Sequence, residues 1–154
     1  YHTATDGKLL RQEIQYWTDQ IQASPILSRQ HYLRWDAAQT PSLLDRAGVA
    51  TDATLGYAEC MGFRCGTSHS FPLWDLERRQ PLSVIETPLI IMDVSLRYYM
   101  DTTPAKAIVE VRQILEQVKR HHGQAVVLWH NNSFGELDQW TPWYPVLESL
   151  MDFR

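Results

Sequence analysis

Pro88-Leu89-Ile90-Ile91-Met92-Asp93 is an apolar run that closes on a carboxylate, and Ala125-Val126-Val127-Leu128-Trp129-His130 repeats the design with an imidazole at its end. Neither run alternates apolar with polar residues, which is the pattern of short strands buried on both faces. Between them Thr103-Pro104 caps a helix in which Ile108, Val111, Leu115 and Val118 recur at the helical period, until His121-His122-Gly123 closes it. A strand, a crossover helix and a second buried strand form a unit that joins parallel strands, so the chain is read as α/β.

The same alternation continues upstream. Leu10, Ile14, Trp17 and Ile21 share one face of a helix over residues 7–24, and Pro25 ends it. Ile26-Leu27-Ser28 is a short strand opening into Arg29-Gln30-His31. Thr40-Pro41 then reads as an N-cap followed by Pro at the first helical position, with the helix over 42–47 stopping at Gly48. Residues 49–55 read as extended. Residues 56–81 hold three of the seven glycines, both cysteines and two prolines without a sustained period, and read as one long loop region. A last amphipathic helix covers about 143–151. No repeat or low-complexity tract interrupts the 154 residues, which read as a single α/β domain of mostly parallel strands alternating with helices.

Composition narrows the function classes. With 44% apolar and 21% charged residues the chain folds around a core rather than remaining disordered. A domain of this size buries roughly 70% of its unfolded surface, so its two cysteines are not needed as a staple. Fourteen Lys and Arg against eighteen Asp and Glu, with no basic block, disfavour nucleic acid as a partner. The longest apolar runs are far short of the ~20 residues of a membrane span. Aromatic residues make up 11%, and several stand beside polar ones: Trp35-Asp36, Trp74-Asp75, Trp129-His130 and Trp143-Tyr144. Rings of this kind serve chiefly as core and rim packing, and also as flat faces for sugars.

In parallel α/β folds the loops after the strands converge, and ligands bind there. Arg29, His31, Asp93 and His130 all fall at such strand ends. Asp93 is also the right residue type for a partner of another site group or for a strand-end cap. Other constellations are weaker. Cys60 and Cys65 lack Cys-x-x-Cys spacing, and no fourth ligand accompanies them and His69. His121-His122 suits a helix carboxyl end. The glycines of 62–66 match no phosphate-binding fingerprint, and Gly-x-Ser-x-Gly is absent.

Four segments taken in order carry a family resemblance: Ser28-Arg29-Gln30-His31-Tyr32-Leu33-Arg34, Thr40-Pro41-Ser42-Leu43-Leu44, Ala47-Gly48-Val49-Ala50-Thr51-Asp52-Ala53-Thr54, and Leu128-Trp129-His130-Asn131. Together they resemble a divergent branch of the carbohydrate esterase family 4, or NodB-homology, polysaccharide deacetylases. The first three look like that family's active-site arginine, a helix and a Gly-x-x-x-Asp-Ser turn, and the last like its strand carrying Leu-x-His. Gly62-Phe63-Arg64-Cys65-Gly66-Thr67 is similar to a segment of the branch without an assigned role.

The resemblance implies part of a deformed (β/α) barrel in which a divalent, zinc-like metal activates water against an N-acetyl carbonyl. The family's metal-binding and catalytic-base aspartates and its metal-binding histidines have no counterpart in these residues. They would precede Tyr1, with His2 at most the tail of the second motif. The chain is therefore expected to be the carboxyl-terminal portion of the catalytic domain, partnered by the missing amino-terminal part and prone to self-association through uncovered strand edges. His130 is the expected general acid, since an imidazole of ordinary pKa, about 6.5, donates a proton near neutrality. Arg29 would hold a carboxylate in bidentate fashion. Arg64, His31, Trp129 and Asp93 are the expected substrate-binding residues. Arg29 is expected to be more buried than Arg64 and to point into the same cavity as His130. A deacetylase-like module that binds glycan or a partner protein without catalysis is the alternative.

Overall fold

The computed structural model describes residues 2–134 and 139–153; Tyr1, with which the sequence opens, lies outside them, as do 135–138 and Arg154. The chain divides into two compact units, Tyr1–Leu55 with His69–Pro88, and Gly56–Ser68 with Leu89–Arg154.

The first unit carries a four-stranded sheet in the order β1 (Leu27–Ser28), β2 (Thr51–Asp52), β4 (Gln80–Glu86), β3 (Phe71–Asp75). β1, β2 and β4 run parallel, and β3 is antiparallel to β4. Helix α1 (Gly7–Ile21) begins where the Asp6 carboxylate accepts the backbone N–H groups of Lys8 and Leu9, and it ends at Gln22 in the left-handed conformation. Helix α2 (Thr40–Arg46) stops at Gly48, whose φ of +75° suits glycine. Leu10 of α1 and Leu44 of α2 join Val49, Leu73 and Val84 in one buried cluster. Leu44 and Val84 have no exposed surface, and each burial of this kind is worth roughly 1.5–3 kcal/mol.

The second unit pairs β5 (Leu89–Met92) in parallel with β6 (Val126–Leu128), joined by helix α3 (Pro104–Arg120). Thr103 caps α3 by accepting from the Lys106 N–H, and Pro104 occupies its first turn. Ala107, Val111, Leu115 and Val118 form its buried face. Ala107, Val111 and Leu115 pack with Ile90, Ile91, Leu96, Trp140, Trp143 and Val146, the last from helix α4 (Tyr144–Met151). A π-helical turn, Ser95–Tyr99, follows β5 directly.

Mixed α/β architecture with parallel strands matches the reading of the sequence, and three local expectations are corrected. Residues 56–81 are not one loop: β3 and the first residues of β4 lie within them as half of a hairpin. Pro72 is tolerated because β3 is the sheet's edge, and the register shifts between Pro72 and Trp74. Asp75 accepts the N–H groups of Glu77 and Arg78 to close the connection, where Arg79 takes a φ of +55°. Thr40 is not the cap of α2 but its first residue. Its hydroxyl is spent on the Ala4 carbonyl and on the Asp36 N–H. β6, expected to be buried on both faces, is only half-buried along its length.

Gly56 shows where backbone meets backbone. A Cβ there would stand 2.7 Å from the Leu89 Cβ and 2.8 Å from the Leu89 carbonyl oxygen. The obstacle is partly main chain of a buried strand and has little freedom to move. Gly56→Ala is expected to cost about 1–3 kcal/mol, read as a lower urea midpoint at unchanged slope. An unchanged midpoint would show that the segment at 56 yields instead.

Candidate functional site

The end of β5 delivers Asp93, which has no exposed surface, and the end of β6 delivers His130. His130 Nδ1 lies 2.6 Å from Asp93 Oδ1, and the His130 backbone N–H donates to Oδ2 at 2.8 Å. The buried Ser133 hydroxyl donates to Oδ2 at 2.6 Å, and the Val94 N–H donates to Oδ1 at 2.8 Å. Four donors thus converge on two carboxylate oxygens, a charge-assisted arrangement that fixes the carboxylate in place. Because Asp93 acts as the acceptor throughout, Nδ1 carries hydrogen and Nε2 is the ring nitrogen left for chemistry. The His130 side chain is 37% exposed, so the ring combines a rigid base with solvent access.

Asp93, expected from sequence as a substrate-binding residue or as the partner of another site group, has no exposed surface and both of its oxygens occupied, one of them by the His130 ring. Trp129 is half-buried beside it in the chain, its ring edge-on to Trp140 at 6.1 Å, and its buried Nε1 has no hydrogen-bond partner. Arg64 is exposed and donates from Nη1 to the Gly56 carbonyl at 3.0 Å, bracing its own loop. Nearby, the Arg97 guanidinium lies over the Trp140 ring at 4.4 Å and over Tyr98 at 4.8 Å.

Arg29 and His31 belong to the other unit. Ser28, Asp52 and Glu86 are partners in register at the carboxyl ends of β1, β2 and β4. Arg29 follows Ser28, is half-buried, and donates from Nε to the Ala53 carbonyl at 2.9 Å. Gln30 is buried, with its N–H on Thr54 Oγ1 and its Oε1 accepting from Thr3. The next turn bends sharply: Tyr32 and Leu33 both have positive φ, at 58° and 51°, which non-glycine residues adopt only where the surroundings enforce it. His31 is exposed and packs on Tyr32, ring centroids 4.4 Å apart.

A groove of about 390 Å³ runs along this segment, lined by Ile14, Trp17, Leu27, Arg29, Gln30 and His31 among others. The lining residues all come from residues 3–31; Arg29 and His31 belong to the first unit, and Asp93 and His130 to the second.

Two features escaped the sequence. Ser133 was visible only as the serine three residues after His130. Glu86 ends β4 with a carboxylate just as Asp93 ends β5, but the hairpin holding it was hidden by Pro72 and Pro81. Among the described residues no three His, Cys, Asp or Glu side chains group in a way that would hold a metal.

No family model and no curated protein sequence matches the chain. A putative polysaccharide deacetylase from Mycobacterium smegmatis, solved by crystallography, is similar in fold, with a TM-score of 0.66 at 20% identity. The match covers 98% of this chain and 52% of the other, so this chain spans about half the length of that structure. The fold is thus like that of a protein described as a deacetylase.

Proposed function

We propose that this chain is the carboxyl-terminal portion of a deacetylase-like (β/α) barrel acting on N-acetylated polysaccharide, in which it supplies the general acid and part of the groove wall. The observation that carries the reading is the Asp93–His130 pair, with Nδ1 held at 2.6 Å and Nε2 left over. In amide hydrolysis the departing amine must gain a proton as the C–N bond breaks. His130 in its imidazolium form, with Nδ1–H held and oriented by Asp93, donates the Nε2 proton to the amine nitrogen and is left as the neutral Nδ1–H ring. Trp129 and Arg64 belong to the groove wall in this reading, and Arg29 and His31 to a second strand-end group that meets substrate or carboxylate.

In this family such hydrolysis uses a divalent metal to activate the water, and its ligands would come from an amino-terminal part of the barrel. The exposed apolar residues around β1, Ile26 and Leu27, together with Trp17 and Ile21 of α1, suit contact with that part or with a second copy. Tyr98 and Tyr99, each about 60% exposed, support the alternative of a module that binds glycan without hydrolysing it.

Acetate release separates these readings. The 154 residues alone, supplied with zinc or cobalt, are expected to release no acetate from chitin or peptidoglycan oligomers. The same chain joined to an amino-terminal barrel portion bearing the aspartate and histidine motifs is expected to release it. Activity of the chain alone overturns the proposed boundary. Binding without acetate release by the joined, metal-loaded protein favours the non-catalytic module.

A further inference from the structure

Asp52 and Glu86 lie side by side in register on adjacent parallel strands, and neither has any exposed surface. Two buried carboxylates facing one guanidinium do not balance. Each uncompensated ion in such a place costs several kcal/mol in lost solvation, and a single retained proton makes the group of Asp52, Glu86 and Arg29 neutral.

The hydrogen bonds say where that proton resides. Asp52 accepts at both oxygens, from the Ser28 hydroxyl at Oδ2 and from the Thr54 N–H at Oδ1. Glu86 accepts the Leu55 N–H at Oε1, 2.9 Å away, while its buried Oε2 has no hydrogen-bond donor among the described residues. As a carboxylate oxygen Oε2 would be bare; as a hydroxyl it has a proton to give to its neighbour Asp52.

We propose that Asp52 and Glu86 share one proton, and that the resulting singly charged pair, aligned by Ser28, positions the Arg29 guanidinium at the strand ends. This deepens the reading of Arg29 given above and rests on that reading only for its functional meaning. Its physical content holds for the fold itself.

The electrostatics agree with the geometry. Burial first, and then the negative charge of Asp52, push the Glu86 carboxyl up to about 8, against the opposing pull of the Leu55 N–H and Arg29. Burial lowers the Arg29 guanidinium from its ordinary value, and Asp52 and Glu86 push it back up. Of the other elements packed on Glu86, β3 places Phe71 opposite it, and the α2 carboxylate of Asp45 is taken by the Ser83 N–H. Arg29 and Asp52 are therefore the charged groups that face it.

The folded protein holds a proton on Glu86 up to about pH 8, whereas the unfolded chain releases it near 4.5. Stability from this group is complete below the lower value and is lost as pH rises through the upper one. The unfolding constant is expected to increase by up to about tenfold per pH unit across that window and then to level off. Glu86→Gln, which mimics the protonated carboxyl, is expected to remove that dependence.

A direct measurement on the wild-type chain needs no variant to fold. Carboxyl carbon NMR is expected to show one of the two side chains titrating near pH 8, with the Arg29 Nε resonance moving at the same midpoint. Separate titration of Asp52 and Glu86 in the ordinary carboxylate range overturns the proposal, and so does an Arg29 signal that ignores the transition. An unchanged pH dependence in a folded Glu86→Gln variant also overturns it. Failure of the acetate-release assay with a carboxyl titration near 8 defeats the deacetylase reading alone; the reverse pair of results defeats the shared proton alone.

Discussion

Replacing His130 by alanine in the metal-competent protein is expected to lower turnover by about 10²- to 10⁴-fold, the usual loss when a general acid is removed. The expectation rests on the ring nitrogen the structure leaves over. Asp93 occupies Nδ1, so in the proposed reaction Nε2 is the ring position left to deliver a proton to the departing amine. The proposal assigns substrate binding to the groove wall, so KM is expected to change much less than kcat. A folded His130→Ala protein with undiminished kcat would remove the acid from His130, and its presence beside Asp93 would then be structural.

The second large effect falls on stability. Asp93→Asn keeps the shape but turns one of the two acceptor oxygens into a donor. Four N–H and O–H groups, from His130 twice, Ser133 and Val94, then compete for one oxygen, and the new amide points its hydrogens at donors. Breaking a buried charged group's partnership typically costs about 3–5 kcal/mol, and loss of that size is expected in urea unfolding of the chain on its own. Ser133→Ala removes one of the four donors and is expected to cost far less. An Asp93→Asn protein within about 1 kcal/mol of the parent, well below that range, would mean that the carboxylate is not what holds β5 and β6 together at their ends.

The parts of the fold legible in the sequence are those where burial and periodicity point the same way. β5 lies wholly inside, and its run of Leu, Ile, Ile and Met announces it. The stripe of α3 and its Thr103-Pro104 start are equally plain. β3 and β4 were not legible, because an edge strand can carry proline and half-exposed positions without penalty, and Pro72, Trp74 and Pro81 look like loop residues when read one at a time. The site divides in the same way. His130 and Asp93 stand at the ends of readable strands, and strand-end position marked both as candidates. It offered Asp93 both as a substrate-binding residue and as a partner of another site group, and the hydrogen bonds from His130 and Ser133 that occupy it appear only in the folded structure. Asp52 and Glu86 come together only once β2 and β4 pair across more than thirty residues of sequence, a relation with no local signature.

That pairing also sets an order of assembly. β3 and β4 meet across a four-residue connection, so little chain entropy is lost in closing the hairpin. β2 must find β4 over a much longer stretch, and β1 joins through β2, so both arrive later. The hairpin with the apolar residues Leu73 and Val84 is therefore expected to form first and the polar row of Ser28, Asp52 and Glu86 last, which φ-values near one at Val84 and near zero at Asp52 would check. A row completed last contributes little to the transition state, so weakening it quickens unfolding while leaving the folding rate almost untouched. Ser28, Asp52 and Glu86 are thus expected to govern how long the folded sheet lasts and to have little influence on how fast it forms.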